Sequence, residues 1–143
     1  MIDIHCHILP HVDDGAKNVG TTKGMLQIAS EEGIDTIIAT PHFMCGEDVS
    51  YTRNMEKRYA EVRDICEQMD PKIELFLGNE IYYSDGVIDA LQQGIALSIN
   101  QTRYVLIEFP GHMEFYTIRK AIQKLMYAGY KPILAHIERY GAL

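Results

Sequence analysis

Read for the alternation of apolar and polar positions, the chain divides into short apolar runs separated by longer amphipathic stretches. Residues 1–5 form the first run and read as a strand. Residues 22–32 place Met25, Ile28 and Ala29 at helical spacing, and Gly33 supplies a helix stop. DTIIAT at 35–40 is a compact run of the buried-strand kind, ended by Pro41. The charged stretch 51–69 carries Tyr59, Val62, Ile65, Cys66 and Met69 along one face, predicting an amphipathic helix that Asp70-Pro71 stops. KIELFL at 72–77 predicts a third strand, 84–93 a short helix with Ser84 placed to cap it, and RYVLIEF at 103–109 a fourth strand. A helix over 117–128, stopped by Gly129, leads to a fifth strand at 132–135 that runs into His136.

Strands and helices in alternation, with the strands continuously apolar, predict an α/β fold of parallel strands with outer helices. Its crossovers should be right-handed. A length of 143 residues, without repeats or linkers, predicts one domain over 1–143. The 47% hydrophobic content is enough for a core, and no apolar run approaches the roughly 18 residues of a membrane span. Thirteen Lys and Arg against 20 Asp and Glu give a formal charge of -7, which disfavours a nucleic-acid partner and suits a protein that gathers divalent cations. Three cysteines without a C-x-x-C pair, and no signal-peptide pattern, predict a cytoplasmic setting.

The candidate chemistry sits where the strands end. His5 and His7 close the first strand, His42 follows the second, Glu80 the third, Glu108 ends the fourth and His136 the fifth. In a parallel βα protein these ends share one face, so residues far apart in sequence converge. His5 and His7 are alternate strand residues and point the same way. A single such histidine is commonly a hydrogen-bonded structural residue; a ligand type at five successive strand ends argues for a metal cluster. Imidazoles with carboxylates suit Mn, Fe or Zn, and such ions bind phosphate oxygens and lower the pKa of a water. The acidic turn Asp13-Asp14-Gly15 is either a plain turn or a source of one more ligand, with Asp14 favoured and Asp13 the substitute. Arg139 is either a surface partner of Glu138 or a bidentate clamp on a phosphate. His11 and His112 fall off the pattern and are assigned structural or rim roles.

Cysteine-based phosphoester chemistry needs an Arg six positions past the nucleophile. The residues six past Cys6, Cys45 and Cys66 are Val12, Tyr51 and Lys72, so that route is unsupported. No G-x-x-x-x-G-K-[ST] loop is present either. Cys66 belongs to an apolar helix face, and Cys6 alternates away from the cluster.

MIDIHCH, VDDG, TPH at 40–42, GNE at 78–80, LIEF at 106–109 and AHIERY at 135–140, in this order, resemble the polymerase-and-histidinol-phosphatase (PHP) superfamily. Within it they resemble the bacterial capsule and exopolysaccharide tyrosine phosphatases. The resemblance implies a distorted (βα)7 barrel with up to three ions, often manganese, that hydrolyses phosphotyrosine on the tail of a polysaccharide-assembly tyrosine kinase. It implies His5, His7, Asp14, His42, Glu80, Glu108 and His136 as metal ligands, Glu80 as the bridging carboxylate, and Arg139 as the phosphate-binding catalytic residue.

Such proteins continue past HIERY through two further βα units, whose late D-x-H pair supplies more ligands. The chain ends at Leu143 without that late pair, so it is expected to form the N-terminal part of the barrel. It would then be a fragment, a chain completed by another, or a truncated product. An uncovered sheet edge would favour a homo-oligomer. A small-molecule phosphatase acting on histidinol phosphate or a nucleotide, and a non-catalytic module binding a phosphotyrosine tail, are the alternative functions.

Overall fold

Two of the apolar runs that predict strands are followed at once by residues that a ladder cannot accommodate smoothly. Pro41, after the second run, has no amide hydrogen to donate, and Gly78-Asn79 follows the third. The computed structural model, which describes residues 1–47 and 49–141, breaks both strands at these places. The elements are β1 (Ile2–Cys6), α1 (Val19–Glu31), β2 (Thr36–Ala39), β3 (His42–Phe43), α2 (Val49–Glu67), β4 (Glu74–Leu77), β5 (Glu80–Tyr82), α3 (Val87–Gln92), β6 (Tyr104–Glu108), α4 (Phe115–Tyr127) and β7 (Lys131–Leu134). Single 3-10 turns lie at Ile99–Gln101 and Ile137–Arg139.

All pairings are parallel, as expected for an α/β fold. The strand orders are β1-β2-β4 and β3-β5-β6-β7. Because β2 pairs with β4 and β3 with β5, the halves of one broken strand run beside the halves of the next. The register survives the break through Gly78 N–H, donating to Ala39 O at 2.9 Å, and Glu80 N–H, donating to Pro41 O at 3.1 Å. Asn79, fully buried, fills the gap. Its Nδ2 donates to Pro41 O at 3.1 Å, and its Oδ1 accepts from Leu97 N at 2.8 Å.

The helices follow the expected order with local corrections. Asn18 Oδ1 accepts from Thr21 N at 2.9 Å, so α1 is capped there and starts ahead of residue 22. Its buried face is Thr22, Leu26 and Ala29, while Ile28, expected inside, is 58% exposed. Thr22 holds a core position because its hydroxyl donates to Ile8 O at 2.8 Å, which satisfies the buried group. The expected face of α2 is borne out: Val62 and Cys66 are buried, with Tyr59, Ile65 and Met69 packed against their cluster. Ser84 does not cap α3, which starts after Gly86 without a side-chain cap. Gly33 and Gly129, at φ 77 and 94, follow α1 and α4 in the left-handed position that glycine favours.

Alternation along the strands divides the core. Ile37 and Leu75 pack under α1 and α2 with Leu26 and Val62, and Val105 and Ile107 pack under α4 with Ile118 and Leu125. The intervening Ile38, Phe76, Leu106 and Ile133 meet on the opposite face, around Ile99. Among the described residues no helix is long and apolar enough to cross a membrane.

The loop after β1 folds tightly back, with Ala16 N–H donating to His7 O at 3.0 Å. An added Cβ on Gly15 would lie 2.2 Å from that carbonyl oxygen and 2.4 Å from His7 Cβ, whereas one on Gly24, within α1, would meet nothing within 4 Å. Two substitutions of the same chemistry should therefore have opposite signs in urea denaturation. Gly15→Ala is expected to destabilise by about 1–3 kcal/mol through overpacking, and Gly24→Ala to stabilise by about 0.5–1 kcal/mol through helix propensity.

Candidate metal centre

The first two ligand candidates straddle the end of β1, His5 within the strand and His7 one residue beyond it. Between His5 and His7, Cys6 N–H donates to the buried Thr40 hydroxyl at 3.0 Å, and Thr40 N–H donates to Cys6 O at 2.9 Å. The Cys6 side chain packs against the cluster beneath α1, as its alternation predicts. Burial there, with Asp3 and Asp13 nearby, pushes its thiol up to about 12.

Glu80 opens β5 and is sealed from solvent. One of its oxygens, Oε2, lies 3.1 Å from His5 Nε2, 2.9 Å from His7 Nε2 and 3.2 Å from His42 Nδ1. The other, Oε1, lies 2.9 Å from His136 Nε2. The two nitrogens of His5 and His7 are themselves 3.2 Å apart. Although these separations are short, neither Glu80 oxygen has a partner aligned as a hydrogen bond. The atoms crowd around shared points without facing one another along N–H···O lines. Ligands at right angles on an ion about 2.1 Å away are about 3.0 Å apart, so the His5–His7–Glu80 triangle has the dimensions of one face of a coordination shell.

Three groups of ligating atoms result: His5, His7 and Glu80; His7, Asp14 and His42; and His42, Glu80 and Glu108. Within each, the atoms all lie within 4.8 Å of one another. His42 Nδ1 is 3.9 Å from Glu108 Oε2, and His42 Nε2 is 3.2 Å from Asp14 Oδ1. His136 joins through Glu80 Oε1. The residues present thus fit divalent ions: nitrogen and oxygen donors, a buried carboxylate with no other partner, and no thiolate.

The two aspartates of the acidic turn separate in role. Asp14 is 81% exposed and reaches the cluster at His42. Asp13 instead turns inward, with Oδ2 2.8 Å from His7 Nδ1 and accepting from His42 N at 3.0 Å, and Oδ1 accepting from Gly15 N at 3.0 Å. An ionised carboxylate only accepts, so His7 carries hydrogen on Nδ1 and presents Nε2 to the cluster. Burial opposes ionisation of Asp13, but its hydrogen bonds to His7, Gly15 and His42 hold it below the usual carboxylate range. Glu80 is likewise held below the usual carboxylate range, against its burial, by His5 and His7. Burial alone would lower His7; Asp13 and Glu80 raise it to about 10.

Arg139 lies on the turn just after His136, where its N–H donates to His136 O at 2.8 Å. Its guanidinium is 66% exposed and its Nε is 3.8 Å from Glu138 Oε1, the surface pairing that the sequence also allowed. His11 and His112 are in none of the three ligand groups. The orienting residues Asp13, Thr40 and Asn79 were not assigned these roles from sequence. Their signal was position: each is a polar residue beside a strand end that supplies a ligand.

Proteins of several bacteria are similar to this chain in sequence and fold. The profile of the capsular polysaccharide synthesis family CpsB/CapC matches residues 1–143. The tyrosine-protein phosphatase CpsB of Streptococcus pneumoniae is 34% identical over 143 residues, covering 100% of this chain and 59% of its own length. The tyrosine-protein phosphatase YwqE of Bacillus subtilis strain 168 is 37% identical over 147 residues, covering 97% of this chain and 55% of its own. A crystal structure from work on YwqE of Bacillus subtilis and CpsB of Streptococcus pneumoniae, described as unique metal-dependent tyrosine phosphatases, matches with a TM-score of 0.83 and 36% identity. It covers 97% of this chain and 56% of the solved one. The chain therefore spans little more than half the length of these relatives, and by profile, sequence and fold it belongs to the capsular polysaccharide synthesis family CpsB/CapC.

Proposed function

We propose that the chain carries the N-terminal, metal-holding part of a manganese-dependent protein-tyrosine phosphatase. The observation that carries this reading is the buried Glu80 carboxylate, ringed by four imidazoles at 2.9–3.2 Å without hydrogen-bond alignment. His5, His7, His42 and His136 would supply nitrogens, Asp14 and Glu108 further oxygens, and Glu80 one oxygen to each side. Divalent ions held there supply positive charge to phosphate oxygens and lower the pKa of a water at the site. Iron and zinc suit the same donors.

Around that centre the chain's own residues have separable tasks. Asp13 keeps hydrogen on His7 Nδ1, so that Nε2 faces inward. Arg139 is assigned to the substrate phosphate: its exposed pairing with Glu138 is weak enough to exchange, and its planar fork suits two phosphate oxygens. A cysteinyl route through Cys6 or Cys66 is disfavoured, because burial pushes their thiols up to about 12 and about 11. Phosphotyrosine as the substrate class is supported by the relatives' names, and a polysaccharide-synthesis setting by the family's description; the tail of a polysaccharide-assembly tyrosine kinase, met in the cytoplasm, is the substrate this reading assigns. Self-association belongs to the same proposal, since the strand order ends at β1, whose Ile2 and Ile4 are exposed.

Elemental analysis together with rates on a phosphotyrosine peptide and on histidinol phosphate tests this reading. Bound manganese, loss of activity on chelation and preference for the peptide are expected. Full activity after chelation would overturn the metal-dependent route; preference for histidinol phosphate would replace the substrate. Tight, metal-independent binding of the peptide without turnover would make the chain a binding module instead. Glu80→Gln should weaken Mn2+ binding in calorimetry beyond the roughly 10–100-fold typical of losing a group that only supports a ligand.

The protonation of His7 gives a further expectation. Its folded value of about 10 lies above the ordinary 6.5, so the bound proton stabilises the metal-free fold fully below about pH 6.5, and that contribution is lost as pH rises toward 10. Glu80, shifted the other way, contributes fully above its ordinary 4.5 and loses that contribution only as pH falls below it, outside this window. Chelated protein should therefore melt at progressively lower temperature from pH 6.5 to 10. Mn2+ affinity should rise over the same window, because the ion displaces that proton. A flat melting profile for the chelated protein would contradict the assigned His7–Asp13–Glu80 coupling.

A further inference from the structure

The parallel ladder between β6 and β7 ends in an unusual rung. Ala135 N–H donates to Ile107 O at 2.9 Å, and in a parallel ladder the next rung would run from Phe109 N–H to Ala135 O. The structure inserts a side chain there. Phe109 N–H donates to the Tyr140 hydroxyl at 3.0 Å, and that hydroxyl donates to Ala135 O at 2.6 Å. Two bonds thus span a gap that a direct rung would close with one of about 2.9 Å. Tyr140 is buried, and its ring packs edge-on to Phe109 with centroids 6.2 Å apart.

The two backbone groups joined in this way adjoin two of the ligand candidates. Phe109 follows Glu108, and Ala135 precedes His136, which leaves the strand in the left-handed conformation at φ 51. We propose that the Tyr140 hydroxyl is a spacer rung, holding the ends of β6 and β7 apart so that Glu108 and His136 reach the centre from opposite sides. Tyr140 is a positioning residue and touches no ion. Without the hydroxyl, Phe109 N–H and Ala135 O are buried and unpartnered, and they can recover a bond only by drawing the strand ends together. That movement displaces His136 Nε2, 2.9 Å from Glu80 Oε1, or Glu108 Oε2, 3.9 Å from His42 Nδ1.

The test is Mn2+ titration by calorimetry on the unaltered chain and on Tyr140→Phe, with Tyr59→Phe as control. Tyr59 also donates its hydroxyl to a backbone carbonyl, Leu75 O at 2.9 Å, beside a strand that bears no ligand candidate. Both variants should melt at lower temperature, but only Tyr140→Phe should bind Mn2+ more weakly, by roughly 10–100-fold. Unchanged affinity in Tyr140→Phe, or an equal loss in Tyr59→Phe, would overturn the positioning role. Should Tyr140→Phe fail to fold, the unaltered protein decides. Linkage requires that an ion aided by the rung must in turn protect it, so Mn2+ should slow hydrogen exchange at Phe109 more than along β4. Equal slowing at both places would overturn the proposal. The inference rests on the metal-centre reading: failure of the unaltered protein to bind Mn2+ sinks both, and wild-type affinity in Tyr140→Phe sinks this one alone.

Discussion

Taking a carboxylate out of water is far more expensive than taking out an amide, unless positive charge or well-aligned donors replace the lost hydration. Glu80 is fully buried, its two oxygens have no aligned donor, and four imidazoles stand close to it. Positive charge at the centre therefore offsets the cost of burying that carboxylate. When an ion is present it supplies that charge. In its absence the proton on His7 does, which is why His7 is raised and Glu80 lowered together. The cation requirement is thus a condition on folding as well as on chemistry.

Placing the carboxylate there dictates the breaks in the strands. An unbroken β2–β3 or β4–β5 would keep strict alternation, and the residues at the break would belong to the ladder. Pro41 and Gly78-Asn79 let each strand restart, so His42 and Glu80 begin new short segments beside each other. Buried polar side chains then tie the backbone within one residue of these ligands. Thr40 binds Cys6 between His5 and His7, Asp13 binds the His42 amide, and Asn79 binds Pro41 ahead of His42. Each such bond contributes only about 1 kcal/mol net, but losing one partner leaves a buried group unsatisfied at about 1–3 kcal/mol. That asymmetry confines the backbone to one arrangement.

The βα alternation was legible because apolar runs and amphipathic stretches differ in period. His5 and His7 were legible because strand geometry alone puts alternate residues on one face. The short strands β3 and β5 were not, since two or three residues cannot display a period. The face of α1 was misjudged at Ile28 because Thr22, a polar residue, occupies a core position by bonding Ile8 O. Ser84 resembled a helix cap, yet α3 begins beyond it. Asp13 and Asp14 could not be separated in sequence, because adjacent residues of one type differ only in which way the turn aims them. Arg139 was open between an ion pair and a phosphate clamp for a similar reason: an exposed long side chain has its partner chosen by what is nearby, and Glu138 is adjacent.

The ligand groups overlap, and the overlap has a direction. Asp13 occupies His7 Nδ1, which leaves that residue a single nitrogen for the centre, and so one ion at a time. His42 has both nitrogens in use, Nδ1 toward Glu80 and Nε2 toward Asp14. Glu80 has two oxygens turned to different imidazoles. His7, His42 and Glu80 each recur in two of the groups, whereas Asp14, Glu108 and His5 each serve one. Two of these shared residues, His42 and Glu80, open the restarted strands β3 and β5 and pair directly. The placement of those two side chains beside each other is consequently fixed by one rung of backbone pairing.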